Sequence, residues 1–93
     1  IFSRPALADL EGTGEYIAFE NPARARTYID ELYRKAVNIG AAPLAYPRRA
    51  DLRPDLRMQV YGPYLILFSI RKGHVEIVRI LHGARDLPRA LKE

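Results

Sequence analysis

The side chains best suited to chemistry lie in one short segment near the end of the chain, Arg79-Ile80-Leu81-His82-Gly83-Ala84-Arg85-Asp86. An imidazole flanked by guanidinium groups can protonate a leaving group and stabilise the charge that develops as a bond breaks. Glu76 lies on the same strand face as His82 and has the chemistry of a base. At strand rise, however, the six intervening steps span about 20 Å, too far for both groups to act on one atom. His82 beside Gly83 equally suits a turn residue that satisfies backbone groups. Tyr61 and Tyr64, near Arg57, have the makings of a platform on which bases stack, or of the edge of a core.

Other chemistries are excluded more firmly. The two histidines, His74 and His82, are eight residues apart and there is no cysteine, so three or four convergent zinc ligands are not in view and no metal site is expected. Ser3 and Ser69 are the only serines, and Ser69 falls in mid-strand, which argues against a serine triad. No glycine-rich phosphate loop is present. No cofactor and no small-molecule substrate are implied.

Two strands must position this segment. Tyr64 to Arg71 and His74 to His82 are rich in Ile, Val, Leu, Phe and Tyr, and Lys72-Gly73 between them supplies a two-residue turn with glycine available for positive φ. Leu56 to Tyr61 alternates apolar and polar residues and reads as a third, half-buried strand, joined to the next by Gly62-Pro63. Both long strands carry apolar residues at odd and even positions, so both faces of the sheet need cover.

Tight turns fix a register. Phe68 is expected across from Ile77, Ile66 from Arg79, Gln59 from Ile66 and Arg57 from Phe68. One face then carries Leu56, Met58, Val60, Leu65, Leu67, Val78 and Ile80, an apolar patch for the helices. The other carries Arg57, Gln59, Tyr61, Tyr64, Ile66, Phe68, Ile77 and Arg79, a mixed face suited to binding.

The cover comes from upstream. Residues 4 to 19 read as a helix with Ser3 as its cap, Pro5 in its first turn and Leu7, Leu10, Gly14 and Ile17 as its apolar stripe. Asp9, Glu11 and Glu15 place negative charge where the helix dipole favours it. Gly14, on the stripe, allows a second helix to come close. Asn21-Pro22 opens that helix, which runs to about Asn38 before Gly40, with Ala25, Ile29, Leu32, Ala36 and Ile39 inward. A short break between two amphipathic helices predicts an antiparallel hairpin. Residues 40 to 55, with Pro43, Pro47 and Pro54 among arginines, read as a loop with a solvated basic surface. Asp86 to Leu91 reads as a short final helix or turn. The fold class is α+β: an N-terminal helical hairpin packed on a small antiparallel sheet, with a short C-terminal helix, in one domain over residues 1–93.

Composition sets the wider limits. Nearly half of the 93 residues are hydrophobic, enough for one core. The absence of cysteine leaves packing to supply stability and suits a cytoplasmic setting. No run is long enough to span a membrane and no signal peptide is visible. A net charge of +4 and a pI near 9.7 favour an acidic partner, nucleic acid or protein. The chain begins at Ile1-Phe2 without a methionine, and these two residues read as the tail of a further strand.

The run PALADLEGTGEYIAFENPARARTYIDEL, the LR that follows, and YLILFSIRKGHVEIVRILHGARDLPRAL together closely resemble the ParE branch of the RelE/ParE superfamily of bacterial toxins. The resemblance covers nearly the whole chain. Its most specific parts are the ADLEGTGEYIA helix, the Asn-Pro that opens the second helix and the closing RILHGARD. It implies the same helical hairpin on a small sheet, with a further N-terminal strand of which Ile1-Phe2 is the remnant. It implies a type II toxin–antitoxin module, a cognate ParD-like antitoxin that wraps the toxin in a hetero-oligomer, and DNA gyrase as the poisoned target.

RelE-like relatives are ribosome-dependent mRNA endoribonucleases, with basic residues on the sheet and a Tyr or His near the C-terminus as acid or base. On that alternative the candidates here are Arg57, His82 and Arg85. No Tyr follows Arg79, and no long basic run precedes the sheet, so the resemblance favours gyrase binding over RNA cleavage. Target-binding candidates are then Arg57, Tyr61, Arg79, His82 and Arg85. Antitoxin-binding candidates are Tyr64, Ile66, Phe68 and Ile77.

Overall fold

The hydroxyl of Ser3 sets where the first helix begins. It accepts a hydrogen bond from the Ala6 amide at 3.1 Å and donates one to the Val78 carbonyl at 2.7 Å, so one side chain both caps the helix and fastens its start to the sheet. In the computed structural model, which describes residues 1–93, helix α1 spans Arg4–Glu20. Its inward residues are Ala6, Leu10 and Thr13, and Leu7 is half exposed. The expected stripe through Leu7 is therefore rotated. With Ser3 pinned to the sheet, positions 6, 9, 10 and 13 form the facing row. The first turn holds no acidic residue, and Asp9 is taken up by Arg79 instead of serving the helix dipole.

Asn21 handles both ends of the interhelical break. Its amide donates to the Ile17 carbonyl at 2.9 Å, and its side-chain oxygen accepts from the Arg24 amide at 3.1 Å, capping helix α2, Pro22–Asn38. Ala25, Leu32 and Ala36 are buried along α2, and Ile39 just beyond it is fully buried. A Cβ at Gly14 would lie 3.3 Å from the Ile29 side chain, so glycine there permits the close helix crossing. Short 3₁₀ turns over Ile39–Ala41 and Pro43–Ala45 follow. The arginine-bearing loop then does more than sit in solvent. The Met58 amide donates to the Pro47 carbonyl at 3.0 Å and the Arg49 amide to the Leu56 carbonyl at 2.8 Å, covering part of the outer sheet edge.

The sheet is antiparallel in the order β1 (Arg57–Tyr61), β2 (Tyr64–Arg71), β3 (His74–His82). Lys72 and Gly73 both have positive φ, 46° and 83°, as a tight hairpin of the mirror-image turn type requires. The pairs Arg57–Phe68, Gln59–Ile66 and Phe68–Ile77 form as the turns predict. Beyond Ile77 the register departs. Leu67 meets Arg79 and Ile66 meets Ile80, because Val78 is an extra residue bulged out of β3.

That bulge and the helix docking overturn the expected assignment of faces. Tyr64, Ile66, Phe68, Ile77 and Ile80 are buried beneath Ala6, Leu10, Leu32, Ala36 and Ile39. The helices thus cover the face expected to be open for binding. On the other side Leu56, Leu67 and Leu81 pack with Leu87 and Ala90, which belong to the short helix α3, Leu87–Ala90, capped by Asp86. Each fully buried Leu, Ile or Phe contributes roughly 1.5–3 kcal/mol of transfer free energy, so both faces stabilise the sheet.

Ile1 and Phe2 extend the sheet beyond β3. The Ile77 amide donates to the Ile1 carbonyl at 2.7 Å, the Ser3 amide donates to the Ile77 carbonyl at 2.9 Å, and Phe2 bridges Ile77 in the parallel sense. Phe2 also stacks on Tyr33, with ring centres 5.1 Å apart.

Candidate functional site

The end of β3 meets the first half of α1 in an open cleft of about 490 Å³. Three turn contacts shape its mouth. The Gly83 amide donates to the Pro63 carbonyl at 2.8 Å and the Arg85 amide to the His82 carbonyl at 3.1 Å. The Ala84 amide donates to Nδ1 of His82 at 3.0 Å. That last bond uses the unprotonated ring nitrogen of a neutral imidazole, which leaves the proton on Nε2 as a donor. The ring stands edge-on to Tyr64, 5.3 Å between centres. Arg85 is exposed, and one terminal nitrogen bonds Glu93 at 2.8 Å.

Asp9, in the floor, belongs to a buried ion pair. Asp9 accepts from Nε and Nη2 of Arg79 at 2.7 and 2.9 Å, and its Oδ2 also accepts from the Ile80 amide at 2.9 Å. The third nitrogen of Arg79 donates to the Ala90 carbonyl at 2.6 Å. Both side chains are about nine-tenths buried. One arginine therefore links α1, β3 and α3, and its bond to Asp9 raises its already high pKa against the opposing effect of burial. The bulge at Val78 is what allows this geometry, since it turns the Ile80 amide away from β2 and toward Asp9.

Beside this floor lie two hydroxyls. Thr13 and Tyr64 are both buried and line the cleft. Burial pushes the Tyr64 phenol up, and the Thr13 hydroxyl partly offsets that. Tyr16, three-quarters exposed, forms the rim, and Gly12 leaves the wall open because nothing lies within 4 Å of where its Cβ would be.

A second polar cluster joins α2 to β1. Glu31 accepts two bonds from Arg24, at 2.9 and 3.2 Å, and a very short one from the Tyr61 hydroxyl. Arg24 lies over the ring of Tyr28, 5.1 Å from its centre, and Lys35 over that of Tyr61 at 6.0 Å. The Arg24 bond, and then that of Tyr61, holds the Glu31 carboxyl below its ordinary range, while Glu31 holds the Tyr61 phenol up.

A sequence profile described as ParE toxin of type II toxin-antitoxin system, parDE, matches residues 1–87. The chain belongs to the ParE toxin family. Its fold is similar to that of a solved chain from the chromosomal ParDE TA system of P. aeruginosa, with a TM-score of 0.78 at 18% identity over 87% of this chain and 90% of that one. No curated protein sequence matches it.

In this ParE-family chain the expected site residues are dispersed. Arg57 pairs through Phe68 with Ile77, whereas His82 pairs through Tyr64 with Tyr61. Four residues of strand and two strand spacings then separate Arg57 from His82, roughly 16 Å between backbones. His82 and Arg85 share the cleft, and Arg57 is not part of it. One of its terminal nitrogens donates to the Tyr46 carbonyl at 2.8 Å. Glu76 and His82, expected on one face, are on opposite faces because the bulge lies between them, and Glu76 pairs with Arg71 at 3.3 Å.

Two further expectations are corrected. Arg79 is a buried structural group, not a surface contact. Tyr64, Ile66, Phe68 and Ile77 are core residues exposed by 6% or less, so they do not form an open antitoxin-binding face. The helices, not a partner, satisfy their apolar surface. No three His, Asp or Glu side chains come together in a way that would hold a metal ion. Sequence reasoning misses Thr13, Tyr16 and Glu31, and reads Asp9 only as a helix-dipole charge. A signal existed for Asp9: Arg79 interrupts an apolar strand run and, once buried, requires a carboxylate.

Proposed function

We propose that this ParE-family chain is the toxin of a ParDE-type module, that it acts in the cytoplasm by binding DNA gyrase and not by chemistry of its own, and that a cognate ParD-like antitoxin neutralises it. Family membership supports the module. The dispersion of the acid–base candidates carries the choice of binding over catalysis. Arg57 and His82 stand at opposite ends of the sheet and Glu76 faces away from His82, so His82 and Arg85 share the cleft without a free carboxylate base, Asp9 being taken up by Arg79 and Ile80. Arg57, Tyr61, His82 and Arg85 are the proposed target-binding groups, with Arg79 supporting them from beneath. No helix is long and apolar enough to cross a membrane, which is compatible with a target inside the cell.

The test uses purified protein, gyrase, supercoiled plasmid and ATP, with linear DNA scored after the enzyme is denatured. Linear product that requires both proteins is the expected result, and His82→Ala, which removes one of several proposed contacts, should lower it in part without abolishing it. If no linear DNA appears while the protein remains folded, and ribosome-bound mRNA is cut instead in a manner abolished by His82→Ala, the RelE-type endoribonuclease reading replaces this one.

A further inference from the structure

The cleft between α1 and the end of β3 is rich in donors and short of free acceptors. Asp9, its one carboxylate, already accepts three hydrogen bonds from Arg79 and Ile80. His82 presents Nε2–H, because Nδ1 is held by the Ala84 amide. Arg85 spends one terminal nitrogen on Glu93 and keeps its remaining donors. Thr13 and Tyr64, 8% and 6% exposed, line the cleft with two hydroxyls. Each hydroxyl can donate to a group that enters the cleft. A group with several lone pairs and negative charge completes this set.

The surroundings decide between a polyanion and a single carboxylate. Glu11, Glu15 and Glu20 are exposed on α1, the helix that forms one wall of the cleft, and their charge disfavours the approach of a phosphate backbone. The same helix offers exposed aromatic surface: Tyr16 at the rim and Phe19, 90% exposed, one turn further on. Isolated acidic side chains set among apolar residues match that pattern, with the carboxylate against Arg85 and His82 and the apolar neighbours over Tyr16 and Phe19.

We propose that this cleft is a carboxylate-binding subsite that receives an Asp or Glu side chain from an acidic, partly apolar segment of a partner protein. It rests on the toxin reading only in naming that partner as the antitoxin.

The experiment follows amide signals of isotope-labelled protein while the blocked peptide Ac-Ala-Leu-Glu-Leu-Ala-amide is added, with its Gln counterpart in parallel. Gly12, Thr13, Ala84 and Arg85 should shift saturably with the Glu peptide, and the Gln peptide should bind about tenfold more weakly, since the charge-assisted bonds are lost. Arg85→Gln should reduce the Glu peptide to the level of the Gln peptide. Arg89→Gln, an exposed arginine outside the cleft, should change nothing. Equal binding of the two peptides overturns the proposal, as do shifts confined to other parts of the molecule. A single-stranded decathymidylate that moves the same amides at lower concentration overturns it in favour of nucleic acid. The titration needs neither gyrase nor antitoxin, so a chain inert in the gyrase assay that still discriminates Glu from Gln keeps the subsite and loses only the partner's name.

Discussion

Asp9 and Glu31 make the same set of contacts in different surroundings. Each carboxylate takes a bidentate arginine and one further donor, the Ile80 amide for Asp9 and the Tyr61 hydroxyl for Glu31. The Asp9–Arg79 side chains are 11% and 9% exposed, those of Glu31 and Arg24 40% and 47%. Arg79 comes from a strand 70 positions away and also holds α3, whereas Arg24 lies on the same helix as Glu31. Water decides what the shared geometry is worth. In the dry node, losing one partner strands a charge and disconnects three elements. In the wet cluster, solvent takes up what is released.

The sharpest way to break this contrast is Asp9→Ala. Leaving Arg79 buried and unpaired should cost about 3–5 kcal/mol in chemical denaturation, a large part of the stability of a domain this size. A loss as small as that expected of a surface pair would show that the node is as replaceable as the Glu31 cluster. The double variant Asp9→Leu, Arg79→Met removes both charges, and its midpoint should recover most of the way toward the parent. A double variant no better than Asp9→Leu alone would move the cost from the stranded charge to the lost hydrogen bonds with Ile80 and Ala90.

Gly62→Ala probes the link that orients the second cluster. Gly62 has a φ of 57°, and a Cβ there would come within 2.8 Å of the Tyr28 hydroxyl, which bonds the Tyr61 carbonyl at 3.4 Å. Backbone strain alone should cost roughly 1–2 kcal/mol, and Tyr28 should swing aside. An unchanged melting temperature would mean that the turn relaxes freely.

The smallest effect is expected from Glu31→Gln, and it should show in pH dependence. The carboxyl of Glu31 is lowered from 4.5, so its contribution is complete above that pH and fades as pH falls through the lowered value. The variant should flatten the fall in melting temperature along that acid limb, and added salt should erase the difference between it and the parent. Identical acid limbs at low salt would remove any role for Glu31 in acid unfolding.

Much of the fold was legible because it is encoded locally. Ser3 and Asn21-Pro22 are caps that work through neighbouring amides, and Lys72-Gly73 forms its turn from its own backbone freedom. The α2 stripe was legible for the same reason, since helical period alone brings Ala25, Leu32 and Ala36 together. The site was less so. His82 and Arg85 stand out in the sequence and do meet, but Thr13 and Tyr16 joined them only because α1 is rotated by the Ser3 and Asp9 attachments.

By itself, then, the sequence determined which residues form helices and strands, where the turns fall, and that both sheet faces would be covered. The face taken by the helices was decided in three dimensions. Tyr64, Ile66 and Phe68 alternate on β2 with Leu65 and Leu67, and both sets are apolar enough to receive a helix. Alternation that is ambiguous on both sides carries no instruction about up and down. The bulge at Val78 and the buried pair of Asp9 with Arg79 supply it, by turning Ile80 toward the helices and bringing α1 onto that face.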